Sequence, residues 1–295
     1  MSKSKLRILV SGSTGQLGQE LQHIAPQYSN FRFDFKNRKS LDLSSENQIK
    51  QTLQTPFDYF INAAAYTAVD KAETDKKTAF QVNATALDHI GKYLSPKTQV
   101  IHVSSDYVYN SDPGRPLAES DKTNPKGVYA QSKLKGEKLL MKHRPDAIIV
   151  RTSWVYSTFG NNFVKTMLRL GASRDGLNIV ADQYGSPTYA RDLAVAILDI
   201  IQNRKFETFA PSNKAGIYNF ANWGLTNWAD LARTIFDESN IDCKVSETTT
   251  KAYNAPAPRP LWSMMSKQRI QRDFHLQIPN WKKSLQSCLK ELKRP

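Results

Sequence analysis

A glycine-rich stretch near the N-terminus constrains this chain more than any other feature. Residues 6–10 form a short apolar run, Ser11-Gly-Ser-Thr-Gly-Gln-Leu-Gly18 comes next, and Leu21 and Ile24 then recur at helical spacing. The order is strand, tight turn, helix. Gly12, Gly15 and Gly18 make a GxxGxxG pattern. Glycine allows the sharp turn and a close approach of backbone to a pyrophosphate, and the helix start offers unpaired N–H groups and the positive end of its dipole. Gly12, Thr14, Gly15, Gln16, Leu17 and Gly18 are therefore the expected dinucleotide contacts. The turn lacks the Gly-Lys-Ser/Thr ending of an ATP-hydrolysing phosphate loop.

The next 130 or so residues keep the same rhythm. Strand candidates at 31–35, 57–64, 99–104 and 147–152 alternate with helical stretches, the clearest carrying Ala79, Phe80, Val82, Asn83, Ala86, Leu87 and Ile90. Such alternation implies right-handed crossovers and a buried parallel sheet. Beyond Thr152 the pattern loosens into a helix at 161–170, a strand at 177–181, an apolar helix at 190–201 and a strand at 216–221 that returns to the sheet. Thr226 is the expected N-cap of a helix whose Trp228, Leu231, Ala232, Ile235 and Phe236 share one face. The proline-rich run at 251–261 reads as an extended segment. The expected fold is α/β: a Rossmann-type doubly wound parallel sheet with a smaller, interleaved C-terminal lobe. Residues 1–155 would be the dinucleotide-binding domain, rejoined by parts of 178–222, and 156–295 mainly the substrate lobe.

Charge narrows the partners. The chain of 295 residues carries a formal net charge of +14, which suits nucleic acid, an anionic surface or a polyanionic small molecule. Its basic residues are mixed with acids along the chain, apart from Lys282, Lys283, Lys290, Lys293 and Arg294. Those alternate with Trp281, Leu285, Cys288, Leu289 and Leu292 as in an amphipathic helix with a solvated polar face. With no zinc-finger or RNP signature, nucleic acid is not an expected partner. The apolar run after the N-terminal lysines is too short for a signal core or a membrane span, so a cytoplasmic protein without membrane contact is expected. Cys243 and Cys288 lack metal-site spacing, and no metal is expected.

Two further groups of residues suggest chemistry. After the second strand, Asp34 is followed by Lys36, Arg38 and Lys39. Arg38, supported by Lys39, would clamp the extra phosphate of NADPH, with NADH the alternative, and Asp42 is grouped with these cofactor contacts. Tyr129-Ala-Gln-Ser-Lys133 opens a helix, so the phenol and the ammonium share one face. A neighbouring ammonium favours the phenolate, and Lys133 is expected to lower the Tyr129 pKa toward neutrality. Ser104, Ser105 and Asp106 end a predicted parallel strand, where open α/β sheets bind their ligands. Glycine turn, serine, then YxxxK is the order of a short-chain dehydrogenase.

The stretches Asn62 to Glu73, Tyr129 to Glu137, Arg151-Thr-Ser-Trp-Val-Tyr156, Gly160-Asn-Asn-Phe-Val164 and Asp182-Gln-Tyr-Gly-Ser-Pro-Thr188 resemble consecutive signatures of the dTDP-4-dehydrorhamnose reductases, within the extended short-chain dehydrogenases. Asp106-Tyr107 stands where related dehydratases carry Asp-Glu. The resemblance implies an NAD(P)H-dependent reductase of a dTDP-sugar's 4-keto group. Ser105, where the family commonly has Thr, would bond the C4 carbonyl, Tyr129 would donate the proton and Lys133 would tune it. Asp106 would orient a substrate hydroxyl or the nearby backbone, and Asn83 would steady the region. Ala63, Ala64 and Ala65 would lie along the cofactor. Trp154 would flank the sugar, Asn161 and Asn162 the diphosphate or sugar, and Asp182, Gln183 and Pro187 the nucleotide, while Arg259 would meet the diphosphate. Some members pair through magnesium-binding acids. Glu20 matches one such position, but Arg191 replaces another, so no such magnesium and a monomer or weak homodimer are expected. The alternatives are another sugar reductase or epimerase on this framework, or a binding subunit of methionine adenosyltransferase type.

Overall fold

The computed structural model describes residues 5–206 and 215–293. Its first half runs β1 (Leu6–Ser11), α1 (Gln16–Ile24), β2 (Phe31–Lys36), α2 (Glu46–Leu53), β3 (Tyr59–Asn62), α3 (Val69–Ala72), α4 (Lys76–Phe80), α5 (Ala86–Tyr93), β4 (Gln99–Ser105), α6 (Gly127–His143) and β5 (Ile148–Thr152). Then come β6 (Val155–Tyr156), α7 (Phe163–Gly171), β7 (Gly176–Val180), β8 (Tyr184–Gly185), β9 (Thr188–Tyr189), α8 (Ala190–Phe206) and β10 (Gly216–Phe220). The chain ends through β11 (Thr226–Asn227), α9 (Trp228–Ser239), β12 (Lys244–Thr248), α10 (Thr250–Tyr253), β13 (Trp262–Ser263), α11 (Gln268–Phe274) and α12 (Trp281–Leu292).

The main sheet has the order β10-β5-β4-β3-β1-β2, with every pair parallel. Because side chains alternate along a strand, Ile8 and Val10 join Ile61, Ile101 and Val150 against helices α1 and α8, whereas Leu9 joins Phe60 and Val100 against α2, α5 and Leu140 of α6. Both faces are covered, as the near-continuous apolar strands require. From β1 the chain moves outward to β2, then crosses to β3 on the other side of β1. The crevice for a ligand therefore opens at the carboxyl ends of β1 and β3.

A separate cluster gathers Tyr156, Val164, Met167, Leu177, Leu231, Ile235, Phe236, Trp281, Leu285, Cys288 and Leu289. It sits among short pairs of strands, β7 with β12, β8 with β11 and β13, and β6 with β9. The buried face of α12 is the apolar stripe read from the sequence. The chain passes back to the main sheet with α8 and β10, which aligns beside β5 with Asn219 opposite Arg151, and again with Ile270 and Phe274 of α11.

Local details differ from expectation at three places. The helix through Asn83 is not continuous: a π-helical turn over Gln81–Thr85 separates α4 from α5, a device often found at functional sites. The N-cap of α9 is Asn227, not Thr226; the Asn227 side chain accepts from the Asp230 N–H at 2.8 Å. The run at 251–261 begins inside α10, whose cap Thr249 accepts from the Ala252 N–H. Among the described residues, no helix is long and apolar enough to cross a membrane.

Candidate active site

The glycine turn is built for close backbone contact. Gly12 has φ +73°, and a Cβ there would lie 2.7 Å from the Ala64 nitrogen. A Cβ on Gly18 would lie 2.2 Å from the Gly12 carbonyl oxygen. Only glycine brings the ends of β1 and β3 and the first turn of α1 this near to one another. Gly15, the N-cap of α1, has no side chain to occupy the first-turn N–H groups, so they face the crevice as an anion cradle. Thr14 and Gly15 are exposed, Gln16 is half-buried, and Leu17 anchors the helix in the core. Ala63, Ala64 and Ala65 line the β3 side, each half-buried. Arg38 and Lys39 are exposed beyond β2, and Arg38 lies 3.7 Å from Asp42. The small side chains, the cradle and the basic rim fit a nicotinamide dinucleotide.

Ser105 and Tyr129 meet at the end of β4. The Ser105 hydroxyl, which lowers the pKa of the buried Tyr129 phenol, donates to Asp106 Oδ1 at 3.0 Å and accepts from the Tyr107 N–H at 3.2 Å. The Tyr107 ring meets Tyr129 edge-on, 5.5 Å between centroids. Lys133, one helical turn after Tyr129, is 2% exposed. Its ammonium donates to the Val103 carbonyl at 2.8 Å and faces His102 Nε2 at 3.5 Å. Burial pushes the Lys133 pKa down to about 8, opposed by Glu137.

The expected lowering of the phenol by Lys133 is not what this geometry gives. Burial pushes Tyr129 up to about 12, opposed by Ser105 and aided by the Asp106 charge. With the lysine turned toward Val103, desolvation decides the sign. Burial also pushes Asp106 up to about 6, against the hydroxyls of Ser263 and Ser105.

Several residues that the sequence left out hold this cluster. Glu137, a further turn along α6, takes Arg151 of β5 in a two-pronged ion pair at 3.0 and 2.6 Å, with both side chains 2% exposed. Tyr129, Lys133 and Glu137 thus form one stripe, and the ion pair fixes it against the sheet. Asn83 steadies the other side of α6 as expected: it accepts from the Tyr66 N–H at 2.8 Å and donates to the Tyr66 carbonyl and the Ser132 hydroxyl, both at 3.0 Å. His102 showed only as a polar residue within an apolar strand, a weak signal that could have been followed.

The residues expected around the substrate divide into two sets. Trp154 adopts φ 48°, an unusual backbone for a bulky side chain. Its indole stacks on Trp228, 3.8 Å between centroids and 15° between planes. Gln183 accepts from the Trp228 Nε1–H at 3.0 Å, and buried Pro187 lies close by in the chain. Asn161 is exposed. The other set is engaged within the fold. Asn162 caps α7 and donates to Gln16 Oε1 at 3.1 Å, linking that helix to the cradle. Asp182 accepts from the Thr250 N–H and hydroxyl. Arg259, expected on a diphosphate, is clamped to Asp70 at 3.0 and 2.8 Å. Buried Glu20 accepts from Arg191 Nε at 2.8 Å and the Ser157 hydroxyl at 2.6 Å.

A dinucleotide cradle at the turning point of a parallel sheet, with Ser, Tyr and Lys converging at the next strand end, defines an oxidoreductase of the short-chain dehydrogenase type. Residues 6–294 match the family described as the RmlD substrate binding domain, and the chain belongs to this family of dTDP-4-dehydrorhamnose reductases. It is 38% identical to the dTDP-4-dehydrorhamnose reductase of Salmonella typhimurium, covering 97% of this chain and 98% of the relative. The crystal structure of a dTDP-4-dehydrorhamnose reductase from Clostridium acetobutylicum superposes with a TM-score of 0.91 at 32% identity, over 98% of this chain and 100% of that one. That of the Bacillus anthracis enzyme, in complex with NADP, gives 0.90 at 33% identity over 97% and 99%.

Proposed function

We propose that this chain reduces the C4 keto group of dTDP-4-dehydro-L-rhamnose to give dTDP-L-rhamnose, using NADPH, as a step of nucleotide-sugar synthesis. The convergence of Ser105, Tyr129 and Lys133 beside the glycine cradle carries the reading, and the relatives' activity supports it. When bound, the cofactor supplies the hydride that adds to C4. Ser105 donates a hydrogen bond to the C4 oxygen, and Tyr129 delivers a proton to it. A phenol held at about 12 is protonated at neutral pH, the state that a reductase needs. The phenolate left behind is neutralised by the Lys133 ammonium one helical turn away.

Residues 1–155, with the parts of 178–222 that rejoin them, hold the dinucleotide, and mainly 156–295 hold the dTDP-sugar. Gly12, Thr14, Gly15, Gln16, Leu17 and Gly18 cradle the pyrophosphate, Ala63 to Ala65 lie along the nicotinamide side, and Arg38 with Asp42 takes the ribose end. Trp154 covers the sugar, Asp106 orients a sugar hydroxyl, Asn161 and Asn162 lie by the diphosphate or sugar, and Asp182, Gln183 and Pro187 surround the nucleotide. Arg259 reaches the diphosphate by leaving Asp70. Arg191 takes the place of a metal at Glu20, so the protein works as a monomer or weak homodimer without magnesium there.

Oxidation of NADPH coupled to dTDP-4-dehydro-L-rhamnose tests the reading. Tyr129→Phe should lower kcat by at least about 100-fold, the usual weight of general acid catalysis, with the NADPH Kd unchanged by fluorescence titration. Near-wild-type turnover in that variant would remove Tyr129 as the acid.

A further inference from the structure

Behind Lys133 lies a chain of buried polar groups that crosses three strands. The Ser11 hydroxyl donates to Asn62 Oδ1 at 2.6 Å, Asn62 Nδ2 meets His102 Nδ1 at 3.1 Å, and His102 Nε2 faces Lys133 Nζ at 3.5 Å. Ser11, Asn62 and His102 are each 1% exposed. One member of the chain has no freedom to reorient. The backbone N–H of Ala64 also points at Asn62 Oδ1, at 3.3 Å, so this atom must be the amide's oxygen. The nitrogen end of Asn62 then faces His102, and Nδ1 must accept. A neutral imidazole that accepts at Nδ1 carries its hydrogen on Nε2. Burial and the Lys133 charge both push the His102 pKa well down, which keeps the ring neutral.

We propose that His102, fixed as the Nε2–H tautomer by Asn62, is a positioning residue for Lys133: it turns an N–H, not a lone pair, toward the lysine nitrogen. An ammonium gains nothing from that N–H, whereas a neutral amine accepts it. The lysine's hydrogens are directed onto the Val103 carbonyl, and its proton affinity is reduced, while the ammonium stays the main form at neutral pH. Among the described residues the charged group that acts on Lys133 is Glu137 on its own helix, neutralised by Arg151 of β5; Asp106 stands at the end of β4, bonded to Ser105. None of them offers the lysine nitrogen a hydrogen, and among the described residues His102 is the one that faces it with an N–H. Because Ala64 packs against Gly12 of the cradle, the same amide links cofactor-side backbone to the state of the lysine. The inference deepens the reductase reading and rests on it for its meaning, but not for its test.

Imidazole nitrogen NMR of the whole protein reports the tautomer directly, with His102→Gln identifying the signal. A protonated Nε2 and bare Nδ1 are expected, and a protonated Nδ1 overturns the proposal. The second measurement tracks the Lys133 side-chain resonance against pH. His102→Leu, which presents no N–H, should raise the lysine's titration midpoint by about one unit, a tenfold change in proton affinity. His102→Gln, whose amide nitrogen can stand where Nε2 stood, should bring it back. An unmoved midpoint in His102→Leu, or no recovery in His102→Gln, sinks the idea. If His102→Leu does not fold, the wild-type tautomer still decides. These readouts need no turnover, so a failed reductase assay and a failed His102 assignment are distinguishable.

Discussion

Lys267 and Asp106 each bury an ionisable group, and at neutral pH each costs stability. Lys267 is 0% exposed and its Nζ has no hydrogen-bond partner among the described residues, although it sits 4.5 Å over the Trp223 ring. Burial pushes it from 10.5 down to about 8. A depressed lysine contributes its full stability above the unfolded value and loses it as pH falls through the folded one, so the cost is complete near neutrality. Lys267→Met should therefore stabilise the protein by about 2 kcal/mol at neutral pH, less what the Trp223 ring returns. Urea melts at about pH 7 and about pH 10 check it, since the gain should shrink at the higher pH. Asp106 runs the other way along the scale. Its carboxyl is raised from 3.8 to about 6, so its contribution is present below 3.8 and is lost as pH rises through about 6. Asp106→Asn should match the wild type in stability at low pH and exceed it by about 2 kcal/mol above about pH 7. Equal pH dependence of Tm in the two proteins would refute the assignment of that shift to Asp106.

Among the elements, α6 and the π turn matter most to the candidate site. A Cβ on Gly136 would come within 1.9 Å of the Asn83 carbonyl oxygen, a backbone atom that cannot swing aside. Gly136→Ala should push α6 off the turn, costing about 1 to 3 kcal/mol as overpacking usually does, and should lower kcat because Tyr129 and Lys133 ride on the same helix. Thermal melts and steady-state kinetics on one preparation test both effects. The alternation of strands and helices was readable in the sequence because apolar period and glycine punctuation are local signals. The π turn was not, since Ala79, Val82, Ala86 and Ile90 keep apolar spacing whether or not one residue is looped out. Thr226 and Asn227 are both competent caps, and only the tertiary path chose the second. Ser105, Tyr129 and Lys133 could be found from motif order. The Glu137–Arg151 pair and the His102 chain could not, because each depends on which strand lies beside which helix. For the same reason Arg259 read as a free cation until Asp70 came into view.

On the scale of the whole molecule, the net charge of +14 is set against ligands that carry several negative charges. A field of this size raises the local concentration of polyanions and is screened beyond about 8 Å at physiological salt. The KM for the nucleotide sugar should therefore rise several-fold between about 20 mM and about 500 mM sodium chloride, with kcat changing little. A KM indifferent to salt would confine recognition to short-range contacts. Trp154 leaves the end of β5 and Trp228 opens α9, so their 3.8 Å stack joins the main sheet's ligand edge to the smaller cluster. Chromophores this close share their excited state. Of the five tryptophans, this pair gives the protein a built-in optical gauge, in which any guest that slides one ring over the other changes the colour and polarisation of the emitted light before a bond is made or broken.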